Sequence, residues 1–325
     1  MKIAFLTLGC RLNQYESDSL ITKFKENGYS IVDFKEIADI YVINTCTVTN
    51  KSDYKSRNAI KRASKTNPGA KVIVTGCYAE ISSEAIKKIE GVTAVINNDE
   101  KHSLFDIIER IIRGEKRKQT IPDHFNYQAP IEGKHTRSYL KIQDGCDSFC
   151  SFCIIPYARG NPVSRNFNAT INEFKKLLDA GFKEIVLTGI NIGKYEYNLS
   201  CLIKRLIQFP GNFRVHLSSI EINYVNDDLI DILKDKKMCQ HLHIPLQSAS
   251  NRILKLMNRN YSIEDYLSTI NKILQKYPRI NLTTDVITGF PTEADDEHEQ
   301  TLKILEEAGF SRIHTFKYSV RRGTN

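Results

Sequence analysis

Three times near the start of the chain, a short apolar run rich in branched and aromatic residues ends on a cysteine. Ile3-Ala4-Phe5-Leu6-Thr7-Leu8-Gly9 leads into Cys10, Ile40-Tyr41-Val42-Ile43-Asn44-Thr45 into Cys46, and Val72-Ile73-Val74-Thr75-Gly76 into Cys77. Near-continuous apolar runs of this length are those of strands buried on both faces. Polar segments of helical length, Gln14 to Asn27 and Asn50 to Asn67, lie between them. Strand–helix–strand alternation builds a parallel sheet with right-handed crossovers. The C-terminal ends of its strands open on one edge, where ligands bind. All three cysteines stand just past those ends, so the topology brings them together although they are far apart in sequence. Gly9 and Gly76 let the chain turn tightly there. One such cysteine would read as a small buried hydrophobe; three in the same topological position make a ligand set.

A second set is local. Cys146, Cys150 and Cys153 lie in Lys141-Ile142-Gln143-Asp144-Gly145-Cys146-Asp147-Ser148-Phe149-Cys150-Ser151-Phe152-Cys153. Thiolates spaced in this way can wrap one loop around a single inorganic cluster. A four-iron cluster needs four ligands, usually cysteines, so three leave one iron open, the mark of a reactive site. Zinc prefers two Cys-x-x-Cys or Cys/His pairs. This loop has one pair, and the nearest histidine, His135, lies upstream beyond a predicted strand. Disulfides need an exported chain. Met1 leads into Lys2-Ile3-Ala4-Phe5-Leu6, too short and strand-like for a signal segment, and no apolar run approaches membrane-spanning length. A cytoplasmic protein with no membrane partner is therefore expected. Cys201, at the start of a predicted helix, and Cys239, before His241-Leu242-His243, share neither geometry and read as packing residues; His243 reads as a core histidine.

With 325 residues the chain can bury two cores. The first alternating block, 1–113, ends with a helix near Arg113. A connecting segment, 114–136, begins at Gly114-Glu115-Lys116-Arg117-Lys118 and holds Pro122 and Pro130. The second block, 137–325, starts at Tyr139-Leu140-Lys141-Ile142 and carries the cysteine loop directly after that strand. Further strand-like runs end at Leu187-Thr188-Gly189, Val215-His216-Leu217-Ser218, His243-Ile244-Pro245-Leu246, Val286-Ile287-Thr288-Gly289 and Phe316-Lys317-Tyr318-Ser319. Amphipathic stretches such as Asn172 to Ala180, Leu199 to Gln208 and Ile263 to Gln275 separate them. The expected fold class is α/β: an N-terminal flavodoxin- or Rossmann-like parallel-sheet domain followed by a partial (β/α)6 barrel, with its site at the C-terminal ends of the strands.

The spelling of these motifs carries more than the fold. Cys146-x-x-x-Cys150-x-x-Cys153, with Phe152 before the third cysteine, resembles the radical S-adenosylmethionine (SAM) superfamily. Thr7-Leu8-Gly9-Cys10-Arg11-Leu12-Asn13-Gln14-Tyr15-Glu16-Ser17, Asn44-Thr45-Cys46-Thr47-Val48-Thr49, Thr75-Gly76-Cys77-Tyr78-Ala79 and Ile154-Ile155-Pro156-Tyr157-Ala158-Arg159-Gly160 resemble the methylthiotransferase family within it. So do the later runs through Asn191, Glu221, Gln247 and Pro291, and the likeness covers essentially the whole chain. The spelling around the first two cysteines is most similar to the branch acting on N6-threonylcarbamoyladenosine, adenosine 37 beside the tRNA anticodon. The branches acting on isopentenyladenosine in tRNA and on a ribosomal protein read differently. Family members usually end in a small β-rich RNA-binding domain, which is expected to lie outside this chain because the barrel finishes at its end.

The resemblance implies two four-iron, four-sulfur (4Fe-4S) clusters and SAM as cofactors. One cluster, on Cys146, Cys150 and Cys153, would cleave SAM to a deoxyadenosyl radical. The other, on Cys10, Cys46 and Cys77, would carry the sulfur that becomes the methylthio group. Cofactor radical chemistry suits an unactivated aromatic C–H, which acid–base residues cannot cleave. An electron donor such as flavodoxin or ferredoxin and a sulfur donor are implied as partners. Phe152 is placed to lie against the cofactor's adenine, Gly189 and Asn191 to receive its amino group, and Ser219, Glu221 and Gln247 to meet its ribose or carboxylate. The net charge of +8 makes an acidic partner plausible. Arg57, Lys61 and Arg62, on the basic segment after Cys46, and above all Arg159 beside the cluster loop, are the expected phosphate contacts. A non-catalytic iron–sulfur RNA-binding module is the rival of another class, but purely structural sites are closed, and both sets here are incomplete. A nicotinamide enzyme needs a Gly-x-Gly-x-x-Gly turn after its first strand, and Gly9-Cys10-Arg11-Leu12-Asn13 is not one.

Overall fold

The buried runs form the strands of a five-stranded parallel sheet in the computed structural model, which describes residues 1–116, 120–128 and 137–324. The strands are β1 (Lys2–Thr7), β2 (Ser30–Val32), β3 (Ile40–Thr45), β4 (Lys71–Gly76) and β5 (Val92–Ile96), in the order β2-β1-β3-β4-β5. Every residue of β3 is buried, as its central place requires. Ala4, Tyr41, Ile43, Val72 and Val74 pack with Ile60, Ile86 and Val95 into one core. Helix α1 (Arg11–Glu26) follows β1 and helix α2 (Asn50–Thr66) follows β3. Thr49 starts α2 by accepting a hydrogen bond from the Ser52 amide at 3.2 Å, which satisfies a donor otherwise orphaned in the first turn. This strand order reverses direction between β1 and β3, and the crevice at such a switch point is where doubly wound sheets bind their ligands.

The chain divides into two compact units. The first comprises Met1–Lys141 and Ile154–Gly160, the second Ile142–Cys153 and Asn161–Asn325. The first unit therefore also contains the strand Ser138–Lys141, which packs on α1, and the short helix Ile155–Arg159. Within the segment 114–136, residues 117–119 and 129–136, and with them Pro130 and His135, lie outside the described residues.

In the second unit the strands Glu184–Thr188 and Arg214–Leu217 are parallel, as are His241–His243, Asn281–Thr288 and Arg312–Lys317. Bridges Val215 to Met238 and Gln247 to Val286 continue the pattern. Helices Phe167–Asp179, Leu199–Leu206, Asp227–Ile232, Ile263–Lys276 and Asp295–Glu307 alternate with the strands. This alternation is the expected partial (β/α) barrel, while Ser138–Lys141, the strand leading into the cysteine loop, is counted with the first unit. One expected run is shorter than its apolar pattern. The strand at His243-Ile244-Pro245-Leu246 is regular only to His243, although Ile244 and Leu246 still donate to the carbonyls of Thr283 and Asp285 at 2.9 and 3.2 Å. The chain then turns through Gln247, at a positive φ of 69°. Among the described residues no helix is long and apolar enough to cross a membrane.

Candidate functional site

Cys10, Cys46 and Cys77 follow β1, β3 and β4, at the edge where the strand order reverses. All three are free thiols. Cys46 and Cys77 are buried, whereas Cys10 is open to solvent on one side, yet crowded enough on the others that burial raises its thiol pKa. Arg159 opposes that rise and the charge of Cys77 adds to it. Burial likewise raises Cys46, and Cys77 and Cys10 push it further. Cys10 and Cys46 thus both lie near enough to Cys77 to feel its charge. Fixed backbone holds them there. Gly9 has φ +106°, and a Cβ on it would stand 3.1 Å from the Cys46 sulfur. Gly76 has φ +96°, and its Cβ would lie 2.4 Å from the Thr45 carbonyl oxygen, so both turns admit glycine only.

A buried polar network underlies these loops. The Asn13 amide donates to the carbonyls of Leu8 and Thr45, at 2.9 and 3.1 Å. The Asn44 amide donates to the Asn13 carbonyl and to Ser17 Oγ, both at 3.0 Å. Asn44 Oδ1 is buried without a hydrogen-bond partner. Beside them Glu16, 1% exposed, accepts from Lys101 at 2.7 Å, Lys141 at 2.8 Å and Arg159 at 2.9 Å. Arg159 also donates to Asn13 Oδ1 at 2.6 Å. Burial alone would raise the Glu16 carboxyl, but Arg159, Lys101 and Lys141 outweigh it and hold it well below the usual carboxylate range. Burial lowers the Lys101 ammonium pKa and Glu16 opposes that fall, while the Arg159 charge bears on Cys10 as well as on Glu16. That charge suits an anionic thiolate-bound cluster.

The second set sits in a loop held open by its backbone. Gly145 and Phe149 have φ of 71° and 43°. Segment 256–259 pins the loop: Asn258 donates to the carbonyls of Ser148 and Phe149, both at 3.1 Å, and Ser151 Oγ donates to the Leu256 carbonyl at 2.8 Å. Arg259 points Nη1 at the Cys150 sulfur, 3.3 Å away, and pairs with Glu221. Burial raises the Cys150 thiol and Arg259 works against it. Cys150 is buried, and Cys146 and Cys153 are partly open. From the strand end below, Gln143 donates to the carbonyls of Asp144 and Gly145, both at 2.7 Å, and accepts from the Asn191 amide at 2.8 Å.

The remaining residues expected from sequence fall into distinct places. Gly189 packs on Gln143, where an added Cβ would stand 2.8 Å from Gln143 Oε1. Asn191 is buried, and its side-chain oxygen has no hydrogen-bond partner. Phe152 packs against Ile253, Met257, Ile287 and Phe290. Ser219 is exposed; its neighbour Ser218 is the buried one, with an unpartnered hydroxyl. Glu221 is committed to Arg259 rather than open to a ribose. Gln247 is buried at a left-handed turn. Arg159 is a correction: it is 5% exposed and bound to Glu16 and Asn13, so it is a buried structural cation and cannot contact phosphate. Arg57 donates to the Tyr78 hydroxyl at 3.0 Å and Arg62 lies over Phe34 at 5.0 Å, while Lys61 is exposed. Glu16, Asn13, Ser218 and Arg259 escaped the sequence reading.

Both cysteine sets fit iron–sulfur clusters by their thiol donors, their neighbouring cations and their incomplete ligand count. The radical SAM superfamily model matches residues 140–305, and the model described as Uncharacterized protein family UPF0004 matches residues 2–97. The chain is thus a radical SAM enzyme. The threonylcarbamoyladenosine tRNA methylthiotransferase MtaB of Aquifex aeolicus is 40% identical over 99% of this chain and 81% of its own length. Its namesake in Bacillus subtilis is 42% identical over 99% of the chain and 74% of its own length. A tRNA-2-methylthio-N(6)-dimethylallyladenosine synthase of Thermodesulfovibrio yellowstonii is 34% identical over 98% of the chain and 76% of its own length. Within the superfamily the chain belongs to the methylthiotransferase family, whose cofactors are SAM and 4Fe-4S clusters. The fold is shared with the radical SAM methyltransferase TsrM of Kitasatospora setae, solved with cobalamin and a 4Fe-4S cluster (TM-score 0.69, 14% identity, 97% of this chain and 74% of that one).

Proposed function

We propose that this chain methylthiolates C2 of N6-threonylcarbamoyladenosine in tRNA, with Cys146, Cys150 and Cys153 holding one 4Fe-4S cluster and Cys10, Cys46 and Cys77 the other. The observation that carries the reading is the gathering of Cys10, Cys46 and Cys77 at the switch point of the N-terminal sheet, over the Asn13, Asn44 and Glu16 network. A radical SAM barrel needs only the other set to cleave its cofactor; a second incomplete set supplies a site from which sulfur can be delivered. The bound cofactors supply the electron, the radical and the sulfur.

The chain's own residues hold and shield. Gln143 ties the cluster loop to the strand end through Asp144 and Gly145. Arg259 donates to the Cys150 sulfur and balances its charge. Asn191 Oδ1 and Ser218 Oγ, buried and unpartnered, would accept from the cofactor's amino and hydroxyl groups. Phe152, in its apolar surround, keeps water from the loop. The exposed Lys51, Lys55, Lys61 and Lys65 of α2 are placed to meet tRNA phosphates, and the paired Arg57 and Arg62 to shape that helix.

Mass spectrometry of tRNA nucleosides from cells with and without the gene tests the substrate. The methylthio form of threonylcarbamoyladenosine should disappear with the gene while its unmodified precursor accumulates. Loss of the dimethylallyladenosine product instead, or of neither, would place the chain in another branch.

A further inference from the structure

Away from the cysteine loop, the second unit brings together three further side chains of metal-ligating type. Glu184 opens the strand Glu184–Thr188, His216 sits in Arg214–Leu217, and Cys239 precedes His241–His243. A carboxylate oxygen of Glu184, a ring nitrogen of His216 and the Cys239 sulfur all lie within 4.8 Å of one another. Sequence alone made Cys239 a packing residue, because only the folded register brings it to the other two. We propose that these three residues form a binding site for one zinc ion, separate from both iron–sulfur sites.

Three physical features support it. Ligands at about 2.0–2.3 Å around a tetrahedral zinc stand roughly 3.3–3.6 Å apart. Glu184 Oε1 and His216 Nδ1 are already 3.0 Å apart, so the ion needs only side-chain adjustment. The mixed carboxylate, imidazole and thiolate set suits zinc and disfavours magnesium or calcium, which take oxygen ligands only. The outer shell is also in place, since zinc-binding histidines use the second ring nitrogen to fix their orientation. His216 Nε2 lies 2.8 Å from His241 Nδ1, and His241 Nε2 lies 3.0 Å from Thr283 Oγ1. Thr283 in turn meets His243 at 2.8 Å, and His243 pairs with Asp285 at 3.2 Å. Glu184 and Cys239 are partly exposed, which gives an ion a way in. Bound there, zinc would cross-link three neighbouring segments of the second unit, with water in the fourth position.

The test uses holoprotein with both iron–sulfur clusters loaded, so that the cluster cysteines are occupied. It is incubated with zinc chloride, desalted, and analysed for zinc and iron by mass spectrometry. Wild-type protein should keep about one zinc per chain, and Cys239→Ser and Glu184→Gln should each lower that roughly tenfold with iron unchanged, as loss of one ligand from a single site requires. Cys201→Ser should behave as wild type. Wild-type retention below about half an equivalent, or variants that keep most of the zinc, would overturn the assignment. Unchanged iron shows that a variant is folded, so a loss of zinc alone reports on this site.

Discussion

Glu16 decides how the chemistry of this chain is held, because its carboxylate is buried against Lys101, Lys141 and Arg159. Removing one member of a buried ion cluster leaves the others uncompensated, which costs about 3–5 kcal/mol. Glu16→Gln should therefore lower unfolding stability by about that amount in a urea titration at neutral pH. Its folded carboxyl is held below the usual range, so its contribution is complete above the unfolded value of about 4.3 and is lost as pH falls toward the depressed folded value. The wild-type curve of stability against pH should fall more steeply below about pH 4 than that of Glu16→Gln. Gly76→Ala tests the neighbouring turn. With φ +96° and the Thr45 backbone at 2.4 Å, alanine must shift the chain that carries Cys77, and iron bound after anaerobic reconstitution should drop by roughly half. Both residues stand in motifs quoted from the sequence, but only Gly76 announced its role there. The partners of Glu16 lie far along the chain, and nothing local in Asn13-Gln14-Tyr15-Glu16 tells a buried carboxylate from a solvated one. Ser218 and Ser219 show the same limit: adjacent positions at a strand end point to opposite sides, so a shift of one residue exchanges the buried hydroxyl for the exposed one.

At the scale of elements the sequence spoke more clearly. The runs ending at Cys10, Cys46 and Cys77 became β1, β3 and β4; β3 and β4 are buried almost throughout, whereas β1 is fully buried only at Ile3 and Ala4. The convergence of their cysteines then follows from parallel topology alone. The support of the cluster loop did not appear, since its props at Asn258 and Arg259 belong to another turn and meet the loop only in the folded barrel. Arg259 is the sharper test of that support. Hydrogen bonds to cluster sulfurs set reduction potential, and a charged donor removed from a buried thiolate is worth about 1.5–3 kcal/mol. Arg259→Ala should therefore keep its iron, show a more negative cluster potential by spectroscopically monitored redox titration, and cleave SAM roughly tenfold or more slowly. An unchanged potential would make Arg259 a partner of Glu221 alone.

For the molecule as a whole, the proposed function assigns radical generation to one cysteine set and sulfur delivery to the other, each set on its own compact unit. Reconstituted protein should hold about eight irons, and replacing either set of three cysteines with alanine should remove about half of them. The two triple variants should differ in chemistry. Loss of Cys146, Cys150 and Cys153 should abolish SAM cleavage. Loss of Cys10, Cys46 and Cys77 should leave some cleavage uncoupled from product. The most direct test incubates reconstituted protein, reductant, SAM and a sulfide source with tRNA bearing N6-threonylcarbamoyladenosine, and digests the tRNA for nucleoside mass spectrometry. A methylthio group at C2 should appear with wild-type protein and be absent with the Cys10, Cys46 and Cys77 triple variant, while that variant still releases deoxyadenosine. Product from that triple variant, or no methylthiolated nucleoside from fully loaded wild-type protein, would contradict the account.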